Sequence, residues 1–450
     1  MGLAMTPPAS GEQRDNRPAD PGIMLQAYRL LARAAQPVVP LVLQLRERQG
    51  KEDPDRRMER FGDASRVRPS GTLVWLHAAS VGETNAILPL ISSIREMRPD
   101  LALLLTTGTV TSAKLAETRL GGAVLHQFAP IDLPQYISRF LDYWQPDLAV
   151  FAESEIWPNL MLGLVERGTP LALVNARISR RSFARWRRSP RLSQSLFQNF
   201  NLVLAHNEET ARQFHALGAR NVHAIGNLKM DSPAPPADAG ELERLQGLTR
   251  DRPIFLAAST HGGEDLHVIR AHRALREDSP SLLTIVVPRH PERGPGVASL
   301  AKQEGCVTAL RSSGGMPDQG CDLYVADTIG ELGLFYALSP VALIGGSLIP
   351  RGGQNPVEAV KHGCAVLTGP HFDNFGDAYR ALIDTGGCWE VDSITELAVA
   401  VRRLLLSEST RAGMLRDATR SISQMSGALA RTVEAVEPLL PQADGNARAS

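Results

Sequence analysis

Short apolar runs that alternate with helical patterns constrain the fold of this chain more than any other feature of its sequence. Between residues 70 and 230, seven runs are predicted to be strands: residues 73–77, 101–106, 124–128, 148–152, 171–175, 202–205 and 222–225. Helical patterns, such as those at 87–97 and 160–167, fill most of the gaps. Because parallel strands need a crossover, usually a helix, this alternation predicts an α/β fold with a doubly wound, largely parallel sheet.

A Pro- and Ala-rich segment, residues 232–240, is a natural boundary between two domains. The alternation restarts beyond it, with five further predicted strands at residues 254–258, 283–287, 323–325, 341–344 and 365–368. At 450 residues the chain is long enough for two cores. We therefore predict two Rossmann-like domains, over residues 70–231 and 241–440, with helices closing the second.

The composition is that of a globular protein without a global signal for polyanion or metal binding. Forty-eight basic and forty-eight acidic residues cancel, so any basic patch must be local. The four cysteines lie far apart without a CxxC pair, which argues against a zinc site or a disulfide framework and fits a reducing compartment. The sequence has no HExxH motif, so we expect no metal. Residues 1–22 and those after Gln442 are predicted to be disordered.

The segment 23–45 is the part of the chain best suited to contact a membrane. It is apolar on balance, although Arg29 and Arg33 interrupt it and Pro37 and Pro40 would bend it. Since a transmembrane helix needs about 20 mainly apolar residues and a central Arg is costly there, we expect a helix in the membrane interface, with both arginines extending towards headgroups. The alternative is a helix that covers an apolar patch of the same protein.

Residues 46–60 form a basic connector after this helix, with six Arg or Lys. Positive charge beside an apolar segment favours the cytoplasmic face of a membrane. We therefore predict that residues 23–60 anchor the chain to the cytoplasmic face.

The first predicted strand and helix bring a carboxylate to the edge of the first sheet. Small residues at 78–82 follow the strand, and Glu83 then precedes a helical pattern that begins near Asn85. Ligands of open α/β sheets collect outside the carboxyl ends of the strands, where a carboxylate can accept a proton from a substrate hydroxyl. Glu83 is therefore the leading catalytic candidate. Alternatively, it only occupies the first turn of the helix and interacts with the helix dipole.

Two more carboxylates, Glu153 and Glu155, follow the predicted strand at 148–152 and lie near the same edge. Pro158 and Asn159 indicate a helix start, so one of the two carboxylates could be only a cap.

Six arginines, among them Arg177 and Arg180, are concentrated in residues 177–188. The interleaved Phe183 and Trp186 allow a nucleic-acid interpretation, but an anionic lipid or a phosphorylated acceptor fits better beside the apolar N-terminal segment. A solvated charged face is the alternative.

In the second domain, two loops after strands carry groups that suit an anion. Ser259, Thr260 and His261 follow the first strand and open a helix, and hydroxyls with backbone N–H groups at a helix start suit a phosphate. An ordinary N-cap would have the same composition. Arg289 and His290 end the next strand and can reach an anionic ligand, although a surface turn would look much the same.

A third loop of this domain is rich in glycine, including Gly346 and Gly353. Asn355 is a plausible N-cap and Pro356 fits the first helical position. Glu358 then lies in the first turn, where it can accept hydrogen bonds from ribose hydroxyls. Three such loops at strand ends of one domain predict a nucleotide-type donor site.

Taken together and in order, six motifs resemble the 3-deoxy-D-manno-octulosonic acid (Kdo) transferase family. They are HAASVGE at 77–83, FAESEIWPN at 151–159, NARISRRS at 175–182, GNLKMD at 226–231, PRHPER at 288–293 and GGQNPVEA at 352–359. The resemblance implies a GT-B fold, in which two Rossmann-like domains face each other across a cleft and a C-terminal helix often crosses back to the first domain. It implies transfer of Kdo from CMP-Kdo to a lipid A precursor, lipid IVA, on the cytoplasmic side of the inner membrane.

The resemblance also implies roles for individual residues, in an inverting reaction without metal or cofactor. Glu83 matches the general base, which would deprotonate the acceptor hydroxyl. Four residues would lie on the acceptor side: Glu153, Glu155, Arg177 and Arg180. Ten would hold the donor: Lys229, Ser259, Thr260, His261, Arg289, His290, Gly346, Gly353, Asn355 and Glu358. A helix N-terminus tends to lower the pKa of a carboxylate, which conflicts with a strong base unless partial burial offsets it.

The sequence departs from the family pattern at a few positions. Gln354 stands where a His is common, Ala359 where a Pro is common, and Glu264-Asp265 where two Glu are common, while residues 106–113 lack a glycine that is usually found near the end of this segment. These departures concern donor contacts more than the reaction class.

Two other functions remain open from the sequence. One is another GT-B glycosyltransferase, or a nucleotide-sugar epimerase, that uses a UDP- or ADP-sugar. The other is a membrane-associated binding module without turnover, with the arginine cluster as its lipid contact.

Overall fold

The computed structural model describes residues 22–442. The predicted disordered segments, residues 1–22 and those after Gln442, therefore lie outside the described residues apart from Gly22. The chain forms two compact units, and each is considered by itself. Unit 1 comprises the residues up to Ser232 and those from Gly427 onward, and unit 2 comprises Pro233–Ser426.

The N-terminal segment forms two helices, α1 (Gly22–Ala35) and α2 (Val39–Arg48), joined by a 3-10 turn at Gln36–Val38. Pro37 and Pro40 each lie at the start of the new helical stretch, where a missing N–H costs little. The two prolines thus mark where the α-helix gives way to a 3-10 turn and where it resumes. Within residues 22–442, no helix combines the length and the apolar character needed to cross a bilayer.

One side of α1 packs on unit 1. Leu25 is buried, the Tyr28 hydroxyl donates a hydrogen bond of 3.1 Å to Asp132, and the Arg29 guanidinium lies 2.7 Å from Glu166. The expected extension of Arg29 towards headgroups is therefore wrong, because Glu166 holds its guanidinium against the protein.

The other side of this N-terminal segment is apolar and open to solvent. Its exposed side chains are Met24, Leu30, Leu31, Val38, Leu41, Val42 and Leu45. The segment thus covers part of unit 1, as in the alternative interpretation, and also exposes an apolar surface.

Part of the basic connector is paired with acidic residues of the same segment. Arg46 and Arg60 both pair with Glu52, at 2.7 and 2.9 Å, and Arg56 pairs with Glu59 at 2.9 Å. The charges of these three arginines therefore serve the protein's own packing, which the sequence interpretation of a membrane-facing charge run missed.

All seven strands predicted for the first domain are present in unit 1. They are β1 (Leu73–Ala78), β2 (Ala102–Thr107), β3 (Leu125–Phe128), β4 (Leu148–Ala152), β5 (Leu171–Ala176), β6 (Leu202–Ala205) and β7 (Val222–Ala224). They form one parallel sheet of order β3-β2-β1-β4-β5-β6-β7. The whole of β1 is buried, because helices cover both faces, and this explains its uninterrupted apolar run.

The side chains of β1 alternate between two cores, one on each face of the sheet. Val74 and Leu76 belong to one cluster, and Leu73 and Trp75 to the other. Eight helices connect the strands and complete this part: α3 (Val81–Met97), α4 (Val110–Leu120), α5 (Pro134–Trp144), α6 (Pro158–Glu166), α7 (Arg180–Arg187), α8 (Pro190–Phe197), α9 (Glu208–Leu217) and α10 (Leu228–Asp231).

Unit 2 repeats the architecture. Its strands are β8 (Ile254–Thr260), β9 (Leu283–Pro288), β10 (Thr308–Leu310), β11 (Leu323–Val325), β12 (Val341–Ile344), β13 (Ala365–Thr368) and β14 (Cys388–Glu390). They form a parallel sheet of order β10-β11-β9-β8-β12-β13-β14. The sequence missed β10 and β14, which have only three residues each and lie at the two edges.

The helices of unit 2 are α11 (Ala239–Leu248), α12 (Glu264–Arg276), α13 (Gly294–Gln303), α14 (Leu332–Leu338), α15 (Val357–Lys361), α16 (Gly376–Asp384), α17 (Ile394–Leu406) and α18 (Glu408–Met425). One more helix, α19 (Ala428–Val436), groups with unit 1 rather than with the second domain, whose predicted range ran to residue 440. The carboxylate of Asp231 explains this grouping, because it accepts hydrogen bonds of 2.7 Å from the N–H groups of Gly427 and Leu429.

Candidate active site

The strand order of unit 1 places a switch point between β1 and β4. The chain moves from β1 outward to β2 and β3, then returns to the other side of β1 with β4. The loops after β1 and β4 therefore diverge and leave a crevice at the carboxyl edge, which is where open α/β sheets bind ligands. Glu83 follows β1, and Glu153 and Glu155 follow β4, so this crevice brings the three predicted carboxylates together.

The turn after β1 holds the carboxylate of Glu83 at the start of α3. Its Oε2 accepts a hydrogen bond of 2.7 Å from the N–H of Ala79, and its Oε1 accepts one of 3.0 Å from the Ser80 hydroxyl. Ser80 in turn caps α3 by accepting from the Glu83 N–H. Glu83 thus does take part in the helix start, as the alternative interpretation supposed.

The surroundings of Glu83 nevertheless raise the pKa of its carboxyl group. Burial and the negative charges of Glu155 and Glu153 raise the pKa of Glu83, while the hydrogen bonds from Ala79 and Ser80 oppose that rise. The net shift is upward, so the helix start does not dominate the pKa. A carboxylate with a raised pKa accepts a proton more readily than an ordinary glutamate.

Glu155 is buried and is held by two donors that the sequence interpretation did not identify. The Nε2 of His77 lies 3.2 Å from its Oε2, and the indole N–H of Trp157 donates to the same oxygen at 2.5 Å. Burial acts to raise the pKa of Glu155, but the hydrogen bond and charge of His77 and the hydrogen bond from Trp157 lower it overall. These two partners therefore favour the ionised form of Glu155 beside Glu83.

Glu153 is buried in a cluster with two cations and an amide. The Lys229 ammonium lies 2.5 Å from its Oε1, the Arg177 guanidinium lies 4.0 Å from its Oε2, and the amide of Asn175 donates a longer hydrogen bond of 3.4 Å. Lys229, expected to face the donor, is thus placed in unit 1 beside an acceptor-side carboxylate.

The backbone of Glu153 is unusual, with a φ of +56°. This left-handed conformation is rare for a residue other than glycine and is typical of functional sites.

Four of the six arginines of the cluster lie on α7, which begins at Arg180, while Arg177 precedes the helix and Arg188 follows it. None of the residues of α7 is buried, and Arg180 is exposed. Phe183 and Trp186 are partly buried and pack on the core of unit 1, so these aromatic rings serve as packing groups. The helix therefore presents its guanidinium groups outward from a fixed base.

In unit 2 the corresponding switch point lies between β8 and β12. Ser259 and Thr260 end β8, and the glycine-rich loop follows β12. A Cβ at Gly345 would lie 2.5 Å from the Ser259 carbonyl oxygen, so the two loops touch through their backbones. This close approach requires glycine.

Glu264, which the sequence interpretation did not select, organises these loops. Its carboxylate is buried and accepts four backbone hydrogen bonds, from His261 (2.8 Å), Gly346 (2.7 Å), Ser347 (3.0 Å) and Leu348 (2.9 Å). The N–H of Gly346 is thus bonded inside the protein rather than open to a phosphate. The only signal of this role in the sequence was an acidic residue at the start of a helix. Such a residue equally suits a simple interaction with the helix dipole.

The predicted donor residues of the β8 loop have different environments. Thr260 is buried and donates its hydroxyl proton to Asp265 at 2.8 Å. The rings of His261 and His290 lie 5.9 Å apart in an edge-to-face arrangement. Burial and then the charges of His290 and neighbouring arginines lower the pKa of His261, so several cationic groups lie near this ring.

The remaining predicted donor residues frame the same edge. Arg289 and His290 are exposed just beyond β9. Asn355 accepts a hydrogen bond from the Val357 N–H and donates one of 3.1 Å to Glu358. Burial raises the pKa of Glu358, against that hydrogen bond and the charge of Arg289.

Gly353 adopts a φ of +67° and closes the glycine-rich loop by donating to the Gly346 carbonyl. Within the described range, 22–442, no three His, Cys, Asp or Glu side chains converge as a metal site would require.

Comparison with known proteins adds sequence and fold relationships. Residues 55–232 match the family model described as 3-deoxy-D-manno-octulosonic-acid transferase. The 3-deoxy-D-manno-octulosonic acid transferase of Haemophilus influenzae is 36% identical over 384 residues, which is 84% of this chain and 90% of that protein.

Solved structures share the two-unit fold at low sequence identity. A glycosyltransferase from Rickettsia africae aligns with a TM-score of 0.57 at 10% identity, covering 83% of this chain and 100% of the glycosyltransferase. A UDP-GlcNAc 2-epimerase from Neisseria meningitidis aligns with a TM-score of 0.57 at 11% identity, covering 82% of this chain and 100% of the epimerase. These likenesses show two parallel-sheet α/β domains resembling GT-B glycosyltransferases. They do not distinguish a glycosyltransferase from an epimerase.

Proposed function

Because this chain belongs to the family of Kdo transferases, we propose that it transfers Kdo from CMP-Kdo to a lipid A precursor, lipid IVA, in the synthesis of the lipopolysaccharide core. The reaction is inverting and uses neither a metal nor a cofactor. The observation that carries this proposal is the position of Glu83, which lies at a switch point with its pKa raised by burial and by two neighbouring carboxylates.

In this mechanism Glu83 accepts the proton of the acceptor hydroxyl as that oxygen attacks the anomeric carbon of Kdo and CMP departs. A general base of this kind contributes about 10²–10⁴-fold in rate. Orientation of the two substrates and stabilisation of the departing phosphate must supply the rest. Glu153, Glu155, Arg177 and Arg180 serve the acceptor side.

Unit 2 is the proposed donor-binding unit. CMP-Kdo carries a phosphate and a carboxylate, and both are anions that guanidinium and imidazole groups bind well. The exposed Arg289 and His290, together with His261, supply such groups at the carboxyl edge of the sheet. Glu358 and Asn355 are suited to a ribose, and Lys229 is a further candidate for the donor's anionic groups.

The acceptor is a lipid, so the protein has to work at a membrane surface, which we propose to be the cytoplasmic face of the inner membrane. The exposed apolar side chains of α1 and α2 suit insertion at a bilayer interface. The guanidinium groups of α7 suit the negative charge of that surface and of a phosphorylated acceptor.

The deciding experiment incubates the purified protein with a lipid A precursor and either CMP-Kdo, a UDP-sugar or an ADP-sugar, and measures nucleotide release and product mass. We expect release only from CMP-Kdo, with a product heavier by whole Kdo residues. Release from a UDP- or ADP-sugar alone would favour another glycosyltransferase or an epimerase. Vesicle binding without nucleotide release from any donor would favour a membrane-associated binding module.

A further inference from the structure

The connector after α2 buries an arginine that lies far from Glu83 in sequence. Arg60 is only 6% exposed, and its guanidinium lies 4.6 Å from the centre of the Phe128 ring. Its Nε donates to Glu52 at 2.9 Å and its Nη1 to the Ala129 carbonyl at 3.2 Å. The remaining nitrogen, Nη2, donates to the carbonyl of Gly108 at 2.7 Å.

From Gly108, two further hydrogen bonds lead to the carboxylate of Glu83, and they are linked to one another through the backbone of Gly108 and Ala79. The Gly108 N–H donates to the Ala79 carbonyl at 3.0 Å, and the Ala79 N–H donates to the Glu83 Oε2 at 2.7 Å. A Cβ at Gly108 would lie 2.7 Å from the Ala79 carbonyl oxygen, so the turns after β1 and β2 are in direct backbone contact. A shift of one turn therefore moves the other.

We propose that Arg60 is a positioning residue for Glu83, and that it acts through the Gly108 and Ala79 peptide groups to fix the carboxylate in the geometry that proton transfer requires. This inference rests on the proposed function, because it assigns Arg60 to the reaction in which Glu83 is the base. Arg60 touches neither substrate nor reacting atoms in this scheme.

The guanidinium group is needed for this arrangement because it makes three differently directed hydrogen bonds from one plane. Burial lowers the pKa of Arg60, and the charge of Glu52 opposes that shift. The other oxygen of Glu52 accepts from Arg46 of α2 at 2.7 Å. The same network thus connects two parts of the protein. One is α2, whose Leu41 and Leu45 are exposed, and the other is the turn after β1 that carries Glu83.

Arg56 provides a matched control in the same segment. Its guanidinium also lies 4.6 Å from the centre of the Phe128 ring, and it bonds to Glu59, Glu117 and His126. Through His126 these contacts reach β2 only at the Thr107 hydroxyl, 3.0 Å from the His126 Nε2, and none of them engages a backbone group of the turns after β1 and β2. Substitution of Arg56 therefore perturbs the packing of the connector without breaking the path to Glu83.

The effect on pH dependence has a defined sign. The hydrogen bond from Ala79 lowers the pKa of Glu83, whereas Glu155 and Glu153 raise it; His77 and Lys229 face these two carboxylates. A loosened Ala79 peptide would remove a lowering influence, so the pKa of Glu83 would rise. Because the base acts when deprotonated, the acidic limb of the rate profile would then move to higher pH.

The test compares Arg60→Lys with Arg56→Lys in the full chain, by CMP release from CMP-Kdo in the presence of a lipid A precursor. We expect Arg60→Lys to lower kcat by about 10- to 100-fold, to leave the KM for CMP-Kdo within about threefold, and to shift the acidic limb upward. Hydrogen exchange at the Ala79 and Gly108 amides should accelerate in the same variant. Arg56→Lys should resemble the wild type in all four measurements.

A second variant removes the buried charges together, in case Arg60→Lys folds poorly. The double variant E52Q/R60M leaves no unpaired buried ion at this position, and it should show the same loss of kcat and the same faster exchange. Equal behaviour of the Arg60 and Arg56 variants in kcat, pH profile and exchange would overturn the inference. Absence of CMP release by the wild-type protein would instead overturn the proposed function, and the exchange measurement would still report on the path.

Discussion

Lys229 and Glu153 form a salt bridge of 2.5 Å that joins the start of α10 to the loop after β4. Both side chains are largely buried, at 14% and 11% exposure, so the pair is shielded from solvent screening. Removal of one member leaves the other charge in a place where water cannot compensate for it. The pair therefore ties the conformation of the Glu153 loop to a segment about 75 residues later in the sequence.

We expect Lys229→Met to destabilise the protein by roughly 3 kcal/mol, since it leaves the Glu153 carboxylate buried without its nearest cation. The double variant K229M/E153Q should recover much of this loss because it removes both charges. Urea unfolding of the wild type, the two single variants and the double variant measures the coupling. A single Lys229→Met variant as stable as the wild type would contradict this account.

Glu83→Gln tests the base directly. The amide keeps the size of the side chain but cannot accept the acceptor's proton, so we expect kcat to fall by about 10²–10⁴-fold. The affinity for CMP, measured by calorimetry, should stay within a few-fold because the groups proposed to hold the nucleotide lie in unit 2. Glu96→Gln, an exposed acid on the same helix α3, serves as the control. Near-normal turnover of Glu83→Gln would remove Glu83 from its proposed role.

The pH profile should report the raised pKa of Glu83. With an ordinary value of 4.5 as the reference, the acidic limb of kcat should have its midpoint above that pH, because burial and two carboxylates favour the protonated form. Glu155→Gln removes one of these negative charges, so the pKa of Glu83 should fall and the limb should move to lower pH. An unchanged limb would mean that another group controls the rate at low pH.

The apolar surface of the N-terminal helices should govern binding to membranes. Leu30 and Leu31 of α1 are 66% and 71% exposed, and L30S/L31S removes apolar area without uncovering the buried Leu25. Burial of a leucine contributes roughly 1.5–3 kcal/mol, so binding to vesicles that contain an anionic phospholipid should weaken at least about tenfold.

The control for this measurement is V399S/L406S, which changes two exposed apolar residues of unit 2. Cosedimentation with vesicles should be unaffected by that variant. Equal loss of binding in both double variants would indicate a general rather than a local membrane contact.

The sequence was sufficient to predict both sheets, because buried parallel strands form continuous apolar runs between helical patterns. It failed at β10 and β14, where three residues carry too little pattern. The range predicted for the second domain also ran past α19, whose grouping with unit 1 depends on a long-range contact with Asp231; only the family resemblance implied a C-terminal helix that crosses back to the first domain. Such contacts leave no periodic signal along the chain.

The sequence was sufficient to predict the carboxylates of the candidate site but not the hydrogen-bond partners that hold them in place. Glu83, Glu153 and Glu155 follow strands that the pattern identifies, so their shared edge could be inferred. The partners of Glu155, His77 and Trp157, become visible only when β1 and β4 are paired. The hydrogen bonds of Glu264 to the glycine-rich loop likewise join segments more than 80 residues apart.

Glu264→Gln tests whether that carboxylate holds the donor loop of unit 2. A carboxylate accepts hydrogen bonds on both oxygens, whereas the amide of Gln has one oxygen that accepts and one NH₂ group that only donates. In Glu264→Gln at least one pair of backbone N–H groups would face the side-chain NH₂ group, which cannot accept their hydrogen bonds. Each buried donor left without an acceptor lowers the stability of the fold by about 1–3 kcal/mol. We expect a lower Tm and at least about tenfold weaker binding of CMP, measured by calorimetry. Glu277→Gln, at the exposed C-terminal end of the same helix α12, should change neither. If Glu264→Gln binds CMP as tightly as the wild type, the donor site does not depend on the glycine-rich loop.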